Sequence, residues 1–260
     1  MPTVILGSLT FQLYPSELNL DGVDTLHHSF FESLADIEDD KERAQYFQDY
    51  MAAAFLLNDP DLAGFELGSR VNRQRADYRR LLTGWLFDAN AIEGAVLKGW
   101  VESRFGLLTR YHGQHISSLH SQEYERFQLQ RMTGLYNTNN LEGQLDLLYC
   151  WSQYELRRRL QDDQEAPSHL LLYRGLNNAE YQEWKQAPKS NQGMLLLNNL
   201  NSFSSDPAYA ETFGDTLIAV KIPLSKIVYF PDLLPGLMQG EREYLVLGGI
   251  YQVELSMVLS

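Results

Sequence analysis

The chain has 260 residues, of which 44% are hydrophobic, so it can bury a large core as one domain with an elaborate lobe or as two small domains. Its formal net charge of -13 argues against nucleic acid as the main partner, because neutralising phosphates requires an excess of lysine and arginine. The single cysteine, Cys150, excludes an intramolecular disulfide, and no cysteine or histidine group has zinc spacing, so neither thiol nor metal chemistry is expected.

The first ten residues contain an apolar stretch but no lysine, arginine or small-residue cleavage site, and no run approaches the ~18 apolar residues of a membrane span. We therefore expect a cytoplasmic protein that does not enter the membrane. The spacing of apolar residues then predicts four helices. They lie at residues 30–57, 74–87, 91–104 and 141–160. Asn58-Asp59-Pro60 is expected to end the first helix, and Gly106 the third.

After Pro167 the pattern changes to short apolar runs separated by glycine, proline and asparagine, which is typical of strands. The predicted strands lie at residues 170–173, 194–197, 216–222, 227–230, 244–247 and 250–259, with helical insertions at 179–185 and 208–213. Six short strands with few crossover helices favour antiparallel sheets over a doubly wound parallel one. The predicted fold class is α+β, with a mainly helical lobe over residues 1–165 and a β-rich core over residues 166–260, together forming one compact unit.

An arginine stands in an unusual place for a solvated charge. Arg174 follows the apolar run 170–173 and precedes Gly175. An arginine at the end of a buried strand needs an anion, and a pyrophosphate fits this requirement. Gly175 would let the backbone approach a ligand closely. The alternative interpretation is a buried salt bridge, for example with a glutamate.

Two serines and two glutamates follow at alternate positions. Ser202 and Ser204 can share a face of the chain, so one hydroxyl could orient a carboxylate while the other faces a ligand, although serine-rich stretches before Asp-Pro are usually turns. Glu243 begins a predicted strand, a rigid mount for a side chain. Glu241 points to the same side if the backbone is extended, and two adjacent carboxylates suit recognition of a planar guanidinium. An exposed acidic turn is the alternative interpretation of this pair.

These residue types fit one reaction. Breaking the bond between nicotinamide and ribose in NAD passes through an oxocarbenium-like state, which a nearby carboxylate can stabilise selectively. We expect Glu243 to take that role and Glu241 to hold an acceptor guanidinium, while Arg174 binds the NAD pyrophosphate and Gly175 lies against the nicotinamide amide. Tyr173, Phe203 and Phe213 are candidates for the aromatic ring that stacks on nicotinamide, with Phe213 the most expected of the three to be plain core.

The order of the motifs resembles the arginine-serine-glutamate class of mono-ADP-ribosyltransferases. The shared features are an arginine, a Ser-x-Ser pair, a later Ala-x-x-Phe and a Glu-x-Glu that leads into a strand and Gly248-Gly249. In this chain they are Arg174, Ser202 and Ser204, Ala210 and Phe213, and Glu241 and Glu243. The resemblance implies two antiparallel sheets crossing over an NAD cleft, and Glu-x-Glu is the pattern of arginine-specific members. Phe203 replaces the middle residue of the common Ser-Thr-Ser motif and leaves both hydroxyls in place.

The helical half carries a narrower resemblance. Residues 90–106, NAIEGAVLKGWVESRFG, are similar to the corresponding stretch of the dinitrogenase reductase ADP-ribosyltransferase family, and the similarity runs through most of the chain. The resemblance implies modification of an arginine of the nitrogenase iron protein, which switches off nitrogen fixation, and regulation through PII signalling proteins. Two alternatives stay open: a toxin-like transferase with another arginine-bearing target, and a catalytically silent NAD-binding regulatory protein.

Four further features have a structural interpretation. The basic cluster of Arg70, Arg73, Arg75, Arg79 and Arg80 is either a solvated helix face or a docking site for an acidic partner. The histidines at 112, 115 and 120 are better explained by a polar loop than by a metal. Trp85 and Trp100 are expected in the core, whereas the apolar loop 230–238 either packs internally or forms a platform for the protein substrate.

Overall fold

The computed structural model describes residues 2–58, 77–136, 138, 140–160, 167–178, 182–237 and 242–257. The first part of the chain is mainly helical. Its elements are α1 (Thr3–Leu6), α2 (Leu9–Leu13), α3 (Val23–Leu26), α4 (His28–Leu34), α5 (Asp40–Ala54), α6 (Tyr78–Phe87), α7 (Ile92–Phe105), the two-residue strands β1 (Tyr111–His112) and β2 (Gln114–His115), α8 (Gln122–Leu135) and α9 (Leu141–Leu160). Along the described ranges, no helix combines the length and apolar character needed to cross a bilayer.

Local signals set several helix ends. Gly106 adopts the left-handed conformation with φ of 67° and ends α7, as expected from the sequence. The predicted helix at 30–57 is instead two helices, because the Asp39 carboxylate accepts the backbone N–H groups of Lys41 and Glu42 and starts α5 anew. The sequence interpretation also missed α8. Phe127 is its one buried residue among those described, whereas Leu129 and Met132 are exposed, so its apolar residues do not mark a single buried face.

The last part of the chain is an antiparallel sheet with one short helix. Its elements are β3 (His169–Leu176), β4 (Trp184–Lys189), β5 (Gln192–Ser204), α10 (Pro207–Glu211), β6 (Thr216–Pro223), β7 (Ile227–Tyr229) and β8 (Glu243–Met257). The strand order is β4-β5-β3-β6-β8-β7, with β5 also paired to β8. The expected helical first half followed by antiparallel β-structure is confirmed.

Hydrogen bonds join the six strands into one sheet, where the family resemblance implied two. The reason is the length of β5 and β8, which pair with each other from Gln192↔Glu254 to Ser204↔Glu243 and still reach other strands. The far end of β8 pairs with β6, and its near end pairs with β7. Two long strands therefore link pairings that would otherwise form separate sheets.

Two predictions within this region were wrong. Residues 184–189, at the end of the predicted helix 179–185, form the edge strand β4, because they extend along β5 with irregular register; residues 179–181 lie outside the described part. The predicted strands 244–247 and 250–259 are one strand, β8. Gly248 and Gly249 do not break it because the chain passes them in a bulge against Asn198 and Asn199.

One buried cluster connects the helices to the sheet. Phe47 of α5 stacks on Trp151 of α9 at 3.9 Å between ring centroids, and both belong to the same hydrophobic core as residues of β5 and β8. The N-terminal helices are tied to the sheet by polar contacts as well. The Gln12 amide donates to the Lys221 and Gln252 carbonyls and accepts from the Gln252 backbone N–H. Helix α6 and the connection to α7 also contact the sheet, at the strand ends that carry the site.

A bulge places two residues of β5, Asn198 and Asn199, opposite Gly248 of β8, and it gives a first prediction. A Cβ atom on Gly248 would lie 1.7 Å from the Asn198 carbonyl oxygen, a backbone atom that cannot rotate away. We expect Gly248→Ala to lower the free energy of unfolding by roughly 2–4 kcal/mol in urea denaturation, as overpacking against backbone does. The matched control is Gly193→Ala in β5, whose nearest contact at 2.9 Å is the edge of the Trp184 ring, a movable side chain. A Gly248→Ala protein no less stable than the control would contradict the bulge.

Candidate functional site

A cleft of about 580 Å³ lies between the sheet and the connection from α6 to α7. That volume is in the range of small-molecule binding sites. It is lined by residues singled out in the sequence, among them Arg174, Ser202, Ser204 and Glu243. The lining also includes Trp85, Phe87 and Asp88 from the helical part, and Tyr209, Ala210 and Phe213 from α10 and the turn after it.

Strand register brings these residues together. Tyr173, the neighbour of Arg174 in β3, pairs with Ser204 at the end of β5, and Ser204 in turn pairs with Glu243 at the start of β8. Because side chains alternate along a strand, Ser202 and Ser204 lie on the same face as Glu243. Residues that are far apart in sequence therefore meet at one corner of the sheet.

A hydrogen-bond triangle holds the Glu243 carboxylate. The Ser202 hydroxyl donates to Glu243 Oε1. The Trp85 indole N–H donates to Ser202 Oγ at 2.9 Å and to Glu243 Oε1 at 3.1 Å. The expectation that Trp85 lies in the core is met by its 4% exposure, yet its N–H reaches the site. Sequence alone signals that a buried indole N–H needs an acceptor but gives no indication of which one.

Arg174 binds the backbone of the serine motif. Its Nη1 donates to the Ser202 carbonyl oxygen at 2.6 Å, while its buried Nε has no hydrogen-bond partner among the described residues. Burial lowers the pKa of Arg174, and the neighbouring Glu243 carboxylate opposes that shift. Within the described residues Arg174 forms no ion pair, so the alternative of a buried salt bridge has no support there. An unpaired, buried guanidinium N–H is a donor available to an anionic ligand.

Ser204 belongs to the turn that starts α10. Its Oγ accepts the Asp206 backbone N–H at 3.0 Å, and Asp206 caps α10 through Ala208 and Tyr209. The other Asp206 carboxylate oxygen forms an ion pair at 3.0 Å with Arg242, the residue before Glu243. This turn therefore connects the cleft wall to the start of β8.

Gly175 lacks a side chain for a reason other than the one expected. A Cβ atom on Gly175 would lie 2.5 Å from the Ala210 carbonyl oxygen and 2.8 Å from the Gly214 nitrogen. The glycine thus allows α10 and the following turn to pack on β3, and its approach to a ligand stays a prediction.

Among the aromatic candidates, Phe203 is 3% exposed, whereas Phe213 is 58% exposed and lines the cleft, so the core interpretation of Phe213 was wrong.

A second cavity of about 500 Å³ adjoins the first and shares Trp85, Arg174 and Ser202 with it. It is lined by Lys98 and by the ion-paired Arg110 and Glu183, among others. Burial lowers the pKa of Lys98 to about 7, with an opposing effect of Asp88. The Lys98 ammonium contacts the Asn90 side-chain oxygen at 3.2 Å and the Tyr111 carbonyl oxygen at 3.1 Å. The two cavities adjoin at Trp85, Arg174 and Ser202.

Other singled-out residues either lie outside the described part of the chain or pair elsewhere. Glu241 lies outside the described residues, as do Arg70, Arg73 and Arg75 of the basic cluster. The two described members of that cluster pair within the chain, Arg79 with Asp77 and Arg80 with Glu93.

The histidines at 112 and 115 have protein partners. His112 lies 2.5 Å from the Gln130 side-chain oxygen, and burial lowers its pKa to about 4. His115 lies 3.5 Å from Glu183. Across the described ranges, no group of three or more His, Cys, Asp or Glu residues could hold a metal ion.

In the loop after β7, Phe230, Leu233 and Leu234 are buried. These residues pack internally, the first of the two interpretations for this loop. Met238, at its end, lies outside the described residues.

Comparison with known proteins agrees with the motif order and the cleft. The family model described as dinitrogenase reductase ADP-ribosyltransferase matches residues 1–255. The NAD(+)--dinitrogen-reductase ADP-D-ribosyltransferase of Rhodospirillum rubrum is 40% identical over 259 residues, which cover 98% of this chain and 92% of that protein. The chain belongs to the dinitrogenase reductase ADP-ribosyltransferase family. No solved structure matches it significantly.

Proposed function

We propose that this chain transfers ADP-ribose from NAD to an arginine of a protein, and that the protein is dinitrogenase reductase, the iron protein of nitrogenase. The observation that carries the proposal is the hydrogen-bonded pair of Ser202 and Glu243 beside Arg174, in one cleft of a member of this family. The activity named for the Rhodospirillum rubrum relative supports the donor and the target. Arginine as the modified residue follows from the Glu-x-Glu motif.

The donor half of the reaction needs an anion site and a carboxylate. Arg174, with its unpaired buried Nε–H, would bind the NAD pyrophosphate. Glu243, held by Ser202, would lie beside the ribose and stabilise positive charge as the glycosidic bond breaks. Nicotinamide then leaves as a neutral molecule with the bonding electron pair. Phe213, exposed in the cleft and edge-on to Tyr209 at 5.1 Å between centroids, is the candidate to stack on it.

The acceptor half needs a proton acceptor. A guanidinium nitrogen attacks ribose C1′ and must lose a proton, but its pKa above ~12 keeps it protonated in water. A carboxylate two residues before Glu243 can hold the planar guanidinium and take up that proton. We assign this role to Glu241. The product of this half of the reaction is an ADP-ribosylated arginine.

Regulation and alternatives remain at the level of the family resemblance. A PII signalling protein is a predicted partner. The family is named for ADP-ribosyltransferase activity, which argues against a catalytically silent NAD-binding protein. The relative is named for action on dinitrogen reductase, which argues against an effector aimed at another target. Labelled NAD with purified nitrogenase iron protein distinguishes all three, because a silent protein transfers nothing and an effector prefers another acceptor.

Replacing the Glu243 carboxylate gives the second prediction. We expect Glu243→Gln to raise the activation free energy of ADP-ribose transfer by roughly 3–4 kcal/mol and so to lower kcat, because an amide cannot balance the positive charge on the ribosyl group. The Kd for NAD, measured by calorimetry with the intact protein, should change little. A Glu243→Gln enzyme with wild-type kcat would contradict the assignment.

Separating donor chemistry from acceptor chemistry gives the third prediction. We expect Glu241→Gln to abolish transfer to arginine while most hydrolysis of NAD by water survives, because water needs no guanidinium site. The two rates are measured on one preparation, as labelled protein and as free ADP-ribose. Equal loss of both activities would refute this division of roles.

A further inference from the structure

The indole of Trp85 comes from the helical part of the chain and touches the candidate catalytic carboxylate. We propose that the Trp85 N–H positions Glu243 for the reaction, so that the helical part contributes directly to catalysis. This inference rests on the proposed function of Glu243. Trp85 acts through Glu243 and is a positioning residue.

The geometry gives the indole one hydrogen shared between two acceptors. Trp85 Nε1 lies 2.9 Å from Ser202 Oγ and 3.1 Å from Glu243 Oε1. An indole N–H only donates, so it can pair with a carboxylate oxygen and with a hydroxyl oxygen but never accepts from them. The Ser202 hydroxyl is thereby left to donate to the same Oε1 atom. Two donors converge on one carboxylate oxygen and fix the direction of the side chain.

The indole itself is rigidly mounted. Tyr78, Leu81, Leu82 and Trp85 lie on one buried face of α6 at the three- and four-residue spacing of a helix. The Lys98 ammonium lies 5.7 Å from the centroid of the Trp85 ring, within cation–π distance. Trp85 is 4% exposed. Its N–H therefore has little freedom to follow a moving acceptor.

Glu243 needs such a fixed donor more than a mid-strand residue would. It is the first residue of β8, and Arg242 before it has φ of 43°, outside extended geometry. Ser202 alone would constrain the carboxylate through a hydroxyl that can rotate. A catalytic group must be held within about 0.5 Å of its productive position. The Trp85 N–H supplies that constraint from helix α6.

The test compares two indoles that both donate to a carboxylate. Trp85→Phe keeps a buried ring and removes the N–H. The matched control is Trp100→Phe in α7, because the Trp100 indole donates to Asp146 at 2.8 Å and Trp100 does not line the cleft. NAD hydrolysis is followed by nicotinamide release, together with KM for NAD and urea denaturation of each protein.

We expect Trp85→Phe to lower kcat about 10- to 100-fold, the rate equivalent of one hydrogen bond to a charged group, with KM for NAD within about threefold of wild type. Trp100→Phe should keep kcat within about threefold, whatever its stability. If Trp85→Phe retains wild-type kcat, or loses rate only in proportion to its loss of folded protein, the inference is overturned.

A second variant tests the same inference if Trp85→Phe folds poorly. Benzothienylalanine at residue 85 has the shape of tryptophan and carries sulfur in place of N–H, so it should fold like wild type and show the same loss of kcat. Wild-type kcat in that protein overturns the inference. Glu243→Gln is assayed in parallel: if it keeps wild-type hydrolysis, the proposed role of Glu243 fails, and this inference fails with it. Loss in Glu243→Gln without loss at residue 85 overturns the inference alone.

Discussion

Antiparallel pairing of β5 with β8 runs from Gln192↔Glu254 to Ser204↔Glu243 and decides where Ser202, Ser204 and Glu243 lie. A shift of one residue would turn Glu243 to the other face of the sheet, because side chains alternate along a strand. The bulge at Gly248 is part of the same register, since Asn198 leaves no room there for a Cβ atom. The chemistry of the cleft thus depends on the backbone alignment of β5 with β8, two strands that are far apart in sequence.

The helical part completes the cleft. Trp85 and Asp88 form part of one wall, and Lys98 lies in the adjoining cavity. The hydrogen bond from Trp85 to Glu243 joins α6 to β8, so displacement of α6 would move the donor that holds the carboxylate. The fold therefore places the carboxylate between a serine that shares its sheet and an indole that does not.

The sequence predicted the parts of this arrangement that have a local signal. Helix α9 and the end of α7 follow from apolar spacing and from Gly106. Arg174 stood out because a charge at the end of an apolar run is unusual, and Ser202 and Glu243 stood out through their alternate spacing with Ser204 and Glu241. The role of Trp85 had no such signal, since its spacing is that of a core residue and its acceptors are 117 and 158 residues away. The edge strand β4 was also missed, because its exposed, polar residues carry no alternation.

The central claim is that NAD lies in this cleft with its reactive carbon beside Glu243. A crystal structure with a carbocyclic NAD analogue, which cannot be cleaved, tests it most directly. We expect C1′ of the carbocyclic ring about 3–3.5 Å from a Glu243 carboxylate oxygen, with Arg174 on the pyrophosphate. An analogue bound elsewhere, or bound with its nicotinamide end remote from Glu243, would contradict the account.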